Sequence, residues 1–141
     1  MQKSLNIAQM PHYCKTIVRR SVLFHDDCFN ILSSIENESV DLILCDLPYD
    51  KTKNKWDSTV PLDKLWAEYE RIISYNGAIV LFAQTPFDKV LGASNIDLLK
   101  YEYIWNKKRP TGFFNANYAP MKQHENILVF SKYPAAQNSA K

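Results

Sequence analysis

Two short, almost purely apolar runs, Val40–Asp46 (VDLILCD) and Ala78–Ala83 (AIVLFA), enclose an amphipathic stretch, and this arrangement constrains the fold more than any other feature. Apolar runs without polar alternation suit strands covered on both faces. Between them, Leu62, Leu65, Trp66, Tyr69, Ile72 and Ile73 fall on one stripe at helical spacing. Thr59 and Pro61 mark the start of this helix and Asn76-Gly77 its end. The rhythm extends in both directions. Ser21–His25 reads as a strand and Cys28–Ile35 as a short helix. Thr85-Pro86 opens a helix carrying Phe87, Val90 and Leu91, and Leu99–Asn106 alternates as a strand. A polar loop is expected from Lys107 to about Gln123, then a last strand over Ile127–Ser131. Strands and helices in alternation predict an α/β fold with a mostly parallel sheet. Such sheets form their sites at the carboxyl ends of the strands.

Length and composition set the outer bounds. A chain of 141 residues suits one domain, here read as a tail over 1–20, a core over 21–133 and a second tail over 134–141. The 46% hydrophobic and 23% charged content is that of an ordinary globular protein. A net charge of +2 gives no global nucleic-acid signal, so any such signal must be local. The first residues show no charged segment followed by an apolar run, which argues against a secretory leader. No apolar stretch reaches the roughly 18 residues of a membrane span, so the cytoplasm is the default location and no membrane partner is expected. Cys14, Cys28 and Cys45 match no zinc spacing, and an odd number argues against a disulfide framework. No metal is expected.

The loop after Val40–Asp46 carries Asp46-Leu47-Pro48-Tyr49. Taken alone, these residues also suit a polar turn with a packed tyrosine. Their flanks add Lys51–Asp57 (KTKNKWD) and Trp105–Lys132 (WNKKRPTGFFNANYAPMKQHENILVFSK). Together these segments resemble the permuted, D-P-P-Y-motif DNA amino-methyltransferases, in particular the adenine-N6 enzymes of phages and prophages. The resemblance spans Ser21 to about Tyr133, with several motifs in the family's order. It implies a Rossmann-like methyltransferase sheet, mostly parallel with one antiparallel hairpin. It also implies S-adenosylmethionine as cofactor, DNA as substrate and methyl transfer to an exocyclic base amine, the alternative being a non-catalytic remnant of such an enzyme that binds nucleic acid or a partner. Adenine N6 is favoured over cytosine N4 because serine is common at the Asp46 position in the cytosine enzymes.

The chemistry accounts for these residue types. An exocyclic amine is a poor nucleophile because its lone pair is delocalised into the ring. Two acceptors aimed at its hydrogens draw it toward tetrahedral geometry and stabilise the positive charge that develops. By resemblance, Asp46 offers a carboxylate and Leu47 a backbone carbonyl, while Tyr49 stacks on the extruded base. Leucine stands at 47 where the family usually has its first proline. The carbonyl survives that change, but the fixed backbone angle of proline is lost. Pro48 retains part of the stiffness.

Other loops carry weaker signals. After Ser21–His25, Asp26 or Asp27 suits a helix cap. The resemblance places a cofactor contact on Asp27, Cys28 and Phe29, and both roles are compatible. Lys51, Lys53 and Lys55, with Lys107, Lys108 and Arg109, suit either a solvated surface or phosphate contacts. The aromatic and amide residues of the expected long loop, Phe113, Phe114, Asn115, Asn117 and Tyr118, suit extruded or single-stranded nucleic acid. His124-Glu125 has no zinc-motif spacing and reads as structural or supporting; Trp56 and Trp66 read as packing residues.

The resemblance also implies something missing. The family uses a Gly-rich loop because side chains would block the backbone's approach to the methionine part of the cofactor. Gly77, Gly92 and Gly112 are far apart, so no such loop is formed by this sequence. In the permuted order that motif follows the base-recognition segment, and the equivalents of family strands 1 and 2 are expected to be lacking here. Their loss would detach Ser21–His25 and leave Val40–Asp46 as an apolar edge. A second chain or a homo-oligomer completing the sheet is the expected partner alongside DNA.

Overall fold

The computed structural model describes residues 14–18, 21–48, 60–113, 116–118 and 120–133. Strands β1 (Cys14–Val18) and β2 (Ser21–His25) form an antiparallel hairpin apart from the main sheet. The first of these lies inside the stretch read from sequence as a tail. Helix α1 (Cys28–Leu32) follows, then β3 (Val40–Asp46), α2 (Leu62–Ile72), β4 (Ile73–Ala83), α3 (Phe87–Ser94), β5 (Leu99–Thr111) and β6 (Lys122–Phe130).

The main sheet has the order β3-β4-β6-β5. Strands β3 and β4 pair in parallel, joined through α2, whereas β4–β6 and β6–β5 are antiparallel. The expectation of a mostly parallel sheet is therefore corrected: the sheet is mixed, and most of its pairings are antiparallel. The cause is β6, which returns from β5 through a hairpin and inserts between β4 and β5. A hairpin needs only a short turn, whereas a parallel neighbour needs a crossover.

The core lies between one face of this sheet and the helices. Helix α2 buries Leu65, Trp66, Tyr69 and Ile72 along its stripe. They meet Ile79, Leu81 and Ala83 of β4, Leu128 and Phe130 of β6, and Leu91 of α3. The Trp66 ring packs on Phe130 at a centroid distance of 4.7 Å, and its indole N–H donates to Ser94 Oγ at 2.8 Å. Phe29 and Leu32 of α1 close the same layer. The opposite face is open: Leu42 and Leu44 are 56% and 62% exposed, and Tyr101 and Tyr103 57% and 58%. Val40–Asp46 is thus an edge strand of the described sheet, covered on one face rather than both.

Several boundaries differ from the sequence reading for local reasons. Helix α2 ends at Ile72, because Ile73 is already extended (φ −68°, ψ 132°) and starts β4. Asn76-Gly77 therefore lies inside a strand, not at a helix end. Gly77 sits where the β3–β4 register slips, and a Cβ there would come within 3.0 Å of the Asp41 carbonyl oxygen. Helix α1 stops at Leu32, where the Ser33 and Ser34 hydroxyls bond back to Asn30 and Ile31 carbonyls.

Arg71 joins these parts. Its guanidinium donates to the Leu32 carbonyl at 2.8 Å, the Ile35 carbonyl at 2.7 Å and Asn37 Oδ1 at 2.6 Å, and pairs with Glu68 at 2.6 Å. It thereby ties the end of α1 and the turn that follows it to α2. Arg71→Met is expected to lower unfolding stability by about 1.5–3 kcal/mol, the range for hydrogen bonds to a charged group. Urea denaturation of the two proteins measures this; an unchanged midpoint would mean that water replaces the guanidinium without loss.

Candidate active site

Strands β3, β4 and β5 run in one direction, so their carboxyl ends share a rim with the first half of β6. Asp46 is the last residue of β3 and registers with Phe82 of β4, which registers with Ile127 of β6. Trp105 of β5 registers with Glu125 of β6. Side chains alternate along a strand, so Asp46, Phe82, Glu125 and Trp105 all belong to the open face.

A polar cluster occupies this rim. Glu125 is buried, at 8% exposure, and its Oε1 accepts from both Gln84 Nε2 and Lys107 Nζ. The Lys107 ammonium lies 5.2 Å from the Trp105 ring centroid, and Trp105 meets Phe82 edge-on at 6.0 Å. Partial withdrawal from water pushes the Asp46 carboxyl above its ordinary value; the Glu125 charge adds to this and the Lys107 charge opposes it. Next to the cluster is a pocket of about 490 Å³, lined by residues that include Gln84, Thr85, His124, Glu125 and Asn126.

A buried network anchors β6 behind the rim. Asn126 Nδ2 donates to Asp88 Oδ2 at 2.6 Å, and Lys89 Nζ pairs with the same oxygen at 2.9 Å. Thr85 Oγ1 adds a third contact at 3.3 Å, just before the cis Thr85-Pro86 bond. Burial pushes the Asp88 carboxyl up, but Lys89 and Asn126 outweigh it and hold the group below its ordinary value.

The motif residues are placed as follows. Leu47 is buried in the core at 4% exposure, and Pro48 is half-buried. Tyr49, Lys51, Lys53, Lys55, Trp56, Phe114 and Asn115 lie outside the described residues. Asp27 is the N-cap of α1, its Oδ1 accepting from the Phe29 amide at 2.8 Å. Phe29 packs on the core, and Cys28 is exposed. Burial pushes the Cys45 thiol up, the Tyr69 hydroxyl opposes this, and the Asp46 and Cys28 charges add to it. Burial, then the Asp27 charge, push the Cys28 thiol up, so it is no ready thiolate at neutral pH.

Lys107, Lys108 and Arg109 require a correction. They belong to β5 and not to a loop, and the connection to β6 begins only after Thr111. Lys108 and Arg109 are exposed, whereas the Lys107 side chain is 20% exposed and committed to Glu125. Nothing in the sequence marks the roles of Gln84 and Phe82, and Glu125 reads there only as a structural or supporting residue. Period-two alternation along β4 and β6 is the signal that puts Phe82 and Glu125 on the face of Asp46. Among the described residues no group of three or more His, Cys, Asp or Glu side chains is arranged to hold a metal ion. No described helix is long and apolar enough to cross a membrane.

No family model matches the chain. Solved structures do. PvuII DNA methyltransferase (cytosine-N4-specific) superposes with a TM-score of 0.64 at 14% identity, covering 79% of this chain and 49% of the other. The M1.HpyAVI–SAM complex gives 0.56 at 20% identity, covering 78% and 54%. A putative DNA modification methylase from Thermus thermophilus, complexed with S-adenosyl-L-methionine, gives 0.57 at 19%, covering 82% and 56%. The chain shares its fold with DNA methyltransferases. It spans about half the length of these structures.

The Asp88 network has a testable pH signature. A carboxyl held below its ordinary value contributes stability that is complete above about 3.8 and is lost as pH falls through the lower, folded value. Urea melts of the protein and of Asp88→Asn, taken between about pH 5 and pH 2, should show a shallower acid slope in the variant. Equal slopes would exclude Asp88 as the responsible group.

Proposed function

We propose that the chain is the catalytic-motif half of an S-adenosylmethionine-dependent DNA amino-methyltransferase acting on adenine N6. The observation that carries this reading is Asp46, which ends β3 on a rim walled by Phe82 and Trp105, in a fold shared with DNA methyltransferases. The target base enters beside this wall with its amine toward Asp46. The Asp46 carboxylate and the Leu47 carbonyl accept the amine hydrogens, orient the nitrogen lone pair and stabilise the charge that builds on nitrogen. Tyr49 stacks on the base. S-adenosylmethionine, when bound, supplies the electrophilic methyl group.

The residues present fit one end of that cofactor. Asp27 caps the start of α1, which Cys28 and Phe29 open, and on this reading these three residues meet the cofactor. The close backbone approach to the methionine end needs paired glycines, and Gly77, Gly92 and Gly112 lie in β4, in α3 and after β5 respectively. On this reading a polypeptide segment that carries such glycines completes the cofactor site, and a second chain or a second copy covers the open edge of β3. DNA phosphates are held by Lys108 and Arg109, together with Lys51, Lys53, Lys55 and Asn115, and the protein works in the cytoplasm.

Asp46→Ala is expected to abolish methyl transfer to DNA while leaving the urea midpoint in place. The assay uses the chain alone and with the completing segment, and mass spectrometry of the digested DNA identifies the product. Full activity in the variant would sink the assignment, and N4-methylcytosine in place of N6-methyladenine would move the reading to the cytosine enzymes. Calorimetric titration with S-adenosylmethionine should show weaker binding for Asp27→Ala, with stability reduced by only about 1 kcal/mol through the lost cap. Unchanged affinity would remove Asp27 from the cofactor site.

A further inference from the structure

The rim contains two side chains of opposite charge that methyl transfer does not by itself require. Lys107 and Glu125 come from neighbouring antiparallel strands and form an ion pair, with both side chains mostly withdrawn from solvent. Each is also held by a second contact: Gln84 donates to the same Glu125 oxygen, and the Lys107 ammonium lies over the Trp105 ring. Holding two long side chains in one geometry costs conformational entropy. Four residues, from β5, β6 and the segment after β4, are used for that purpose on the rim that Asp46 shares.

We propose that Lys107 and Glu125 are a positioning pair for Asp46, setting how readily its carboxylate carries charge at the rim. The inference rests on the methyl-transfer reading only for its purpose, not for its geometry. Among the described residues, the charges bearing on Asp46 are Glu125 from β6 and Lys107 from β5. Strand β4 contributes the neutral Phe82, and Gln84 follows it into the cluster. Asp88 is engaged by Asn126 and Lys89. With Lys107 in place the Glu125 charge is largely compensated. Without the lysine, that charge would act on Asp46 in a partly desolvated setting and favour a proton on one of the two groups. A protonated Asp46 has one oxygen fewer to accept the amine hydrogens, so the pair keeps the acceptor in its working form. Gln84 holds Glu125 in the rotamer that meets the lysine, and Trp105 directs Lys107 inward.

The test follows the Asp46 side-chain carboxyl by carbon NMR across pH in the carbon-13-labelled chain. The protein should titrate above an ordinary aspartate. Lys107→Met should raise the midpoint further and Glu125→Gln should lower it, each by on the order of tenfold in the protonation constant, or about one pH unit. Lys107→Arg, which keeps the charge, should return the midpoint to that of the parent. A purely structural pair would leave the Asp46 midpoint where it is in every folded variant, and that result overturns the proposal. Removing one member of a buried pair can unfold a protein. Glu125→Gln is therefore the deciding variant, because it is isosteric and still accepts from Lys107 through its amide oxygen. An unchanged midpoint in that variant alone is sufficient to reject the pair. Methylation is assayed separately: shifted midpoints without methyl transfer would leave the pair standing and remove the proposed function.

Discussion

Strand β6 lies between β4 and β5, and the rest of the structure depends on that insertion. It turns a run of crossover-linked strands into a mixed sheet, with antiparallel ladders on both sides of β6. One face of β6 gives Leu128 and Phe130 to the core under α2 and α3. Its first half gives Glu125 to the open face and Asn126 to Asp88. The same strand thus completes the hydrophobic layer, ties α3 to the sheet and supplies the buried acid at the rim. Without the insertion Glu125 would have no place on the rim that Asp46 shares.

The sequence was most legible where burial alone decides structure. The stripe from Leu62 to Ile72 and the apolar run Ala78–Ala83 become the helix and strand that their periodicities imply. Asp46 falls at the end of its strand, where α/β sheets place their chemistry. Legibility failed where tertiary partners outweigh local preference. Lys107–Arg109 reads as loop because it is charged, yet edge strands tolerate and even favour lysine, which discourages pairing with other chains. Asn76-Gly77 reads as a helix stop, yet Ile73 turned extended four residues earlier to meet β3. Glu125 is one acid among 15 Asp and Glu in the chain, and only the register of β6 against β5 distinguishes it.

The two faces of the sheet divide its work. The helix-covered face is aliphatic and aromatic and carries the stability, with Trp66 on Phe130 and Leu91 beneath. The open face carries the polar and aromatic cluster of the rim: Asp46, Phe82, Trp105, Lys107 and Glu125. It also carries Leu42, Leu44, Tyr101 and Tyr103, which no described helix shields. A face with apolar residues across its middle and polar groups at one rim differs from the even polarity of a solvated sheet. The chain spans about half of the methyltransferases that share this fold.

Leu47 stands at the position after Asp46, and its side chain is sunk into the core. A proline would stiffen this peptide through its ring, a covalent restraint that heat does not loosen. Here the restraint comes from packing, so the orientation of the Leu47 carbonyl is only as durable as the contacts around its side chain. Backbone geometry at this position and hydrophobic cohesion then share one thermal limit.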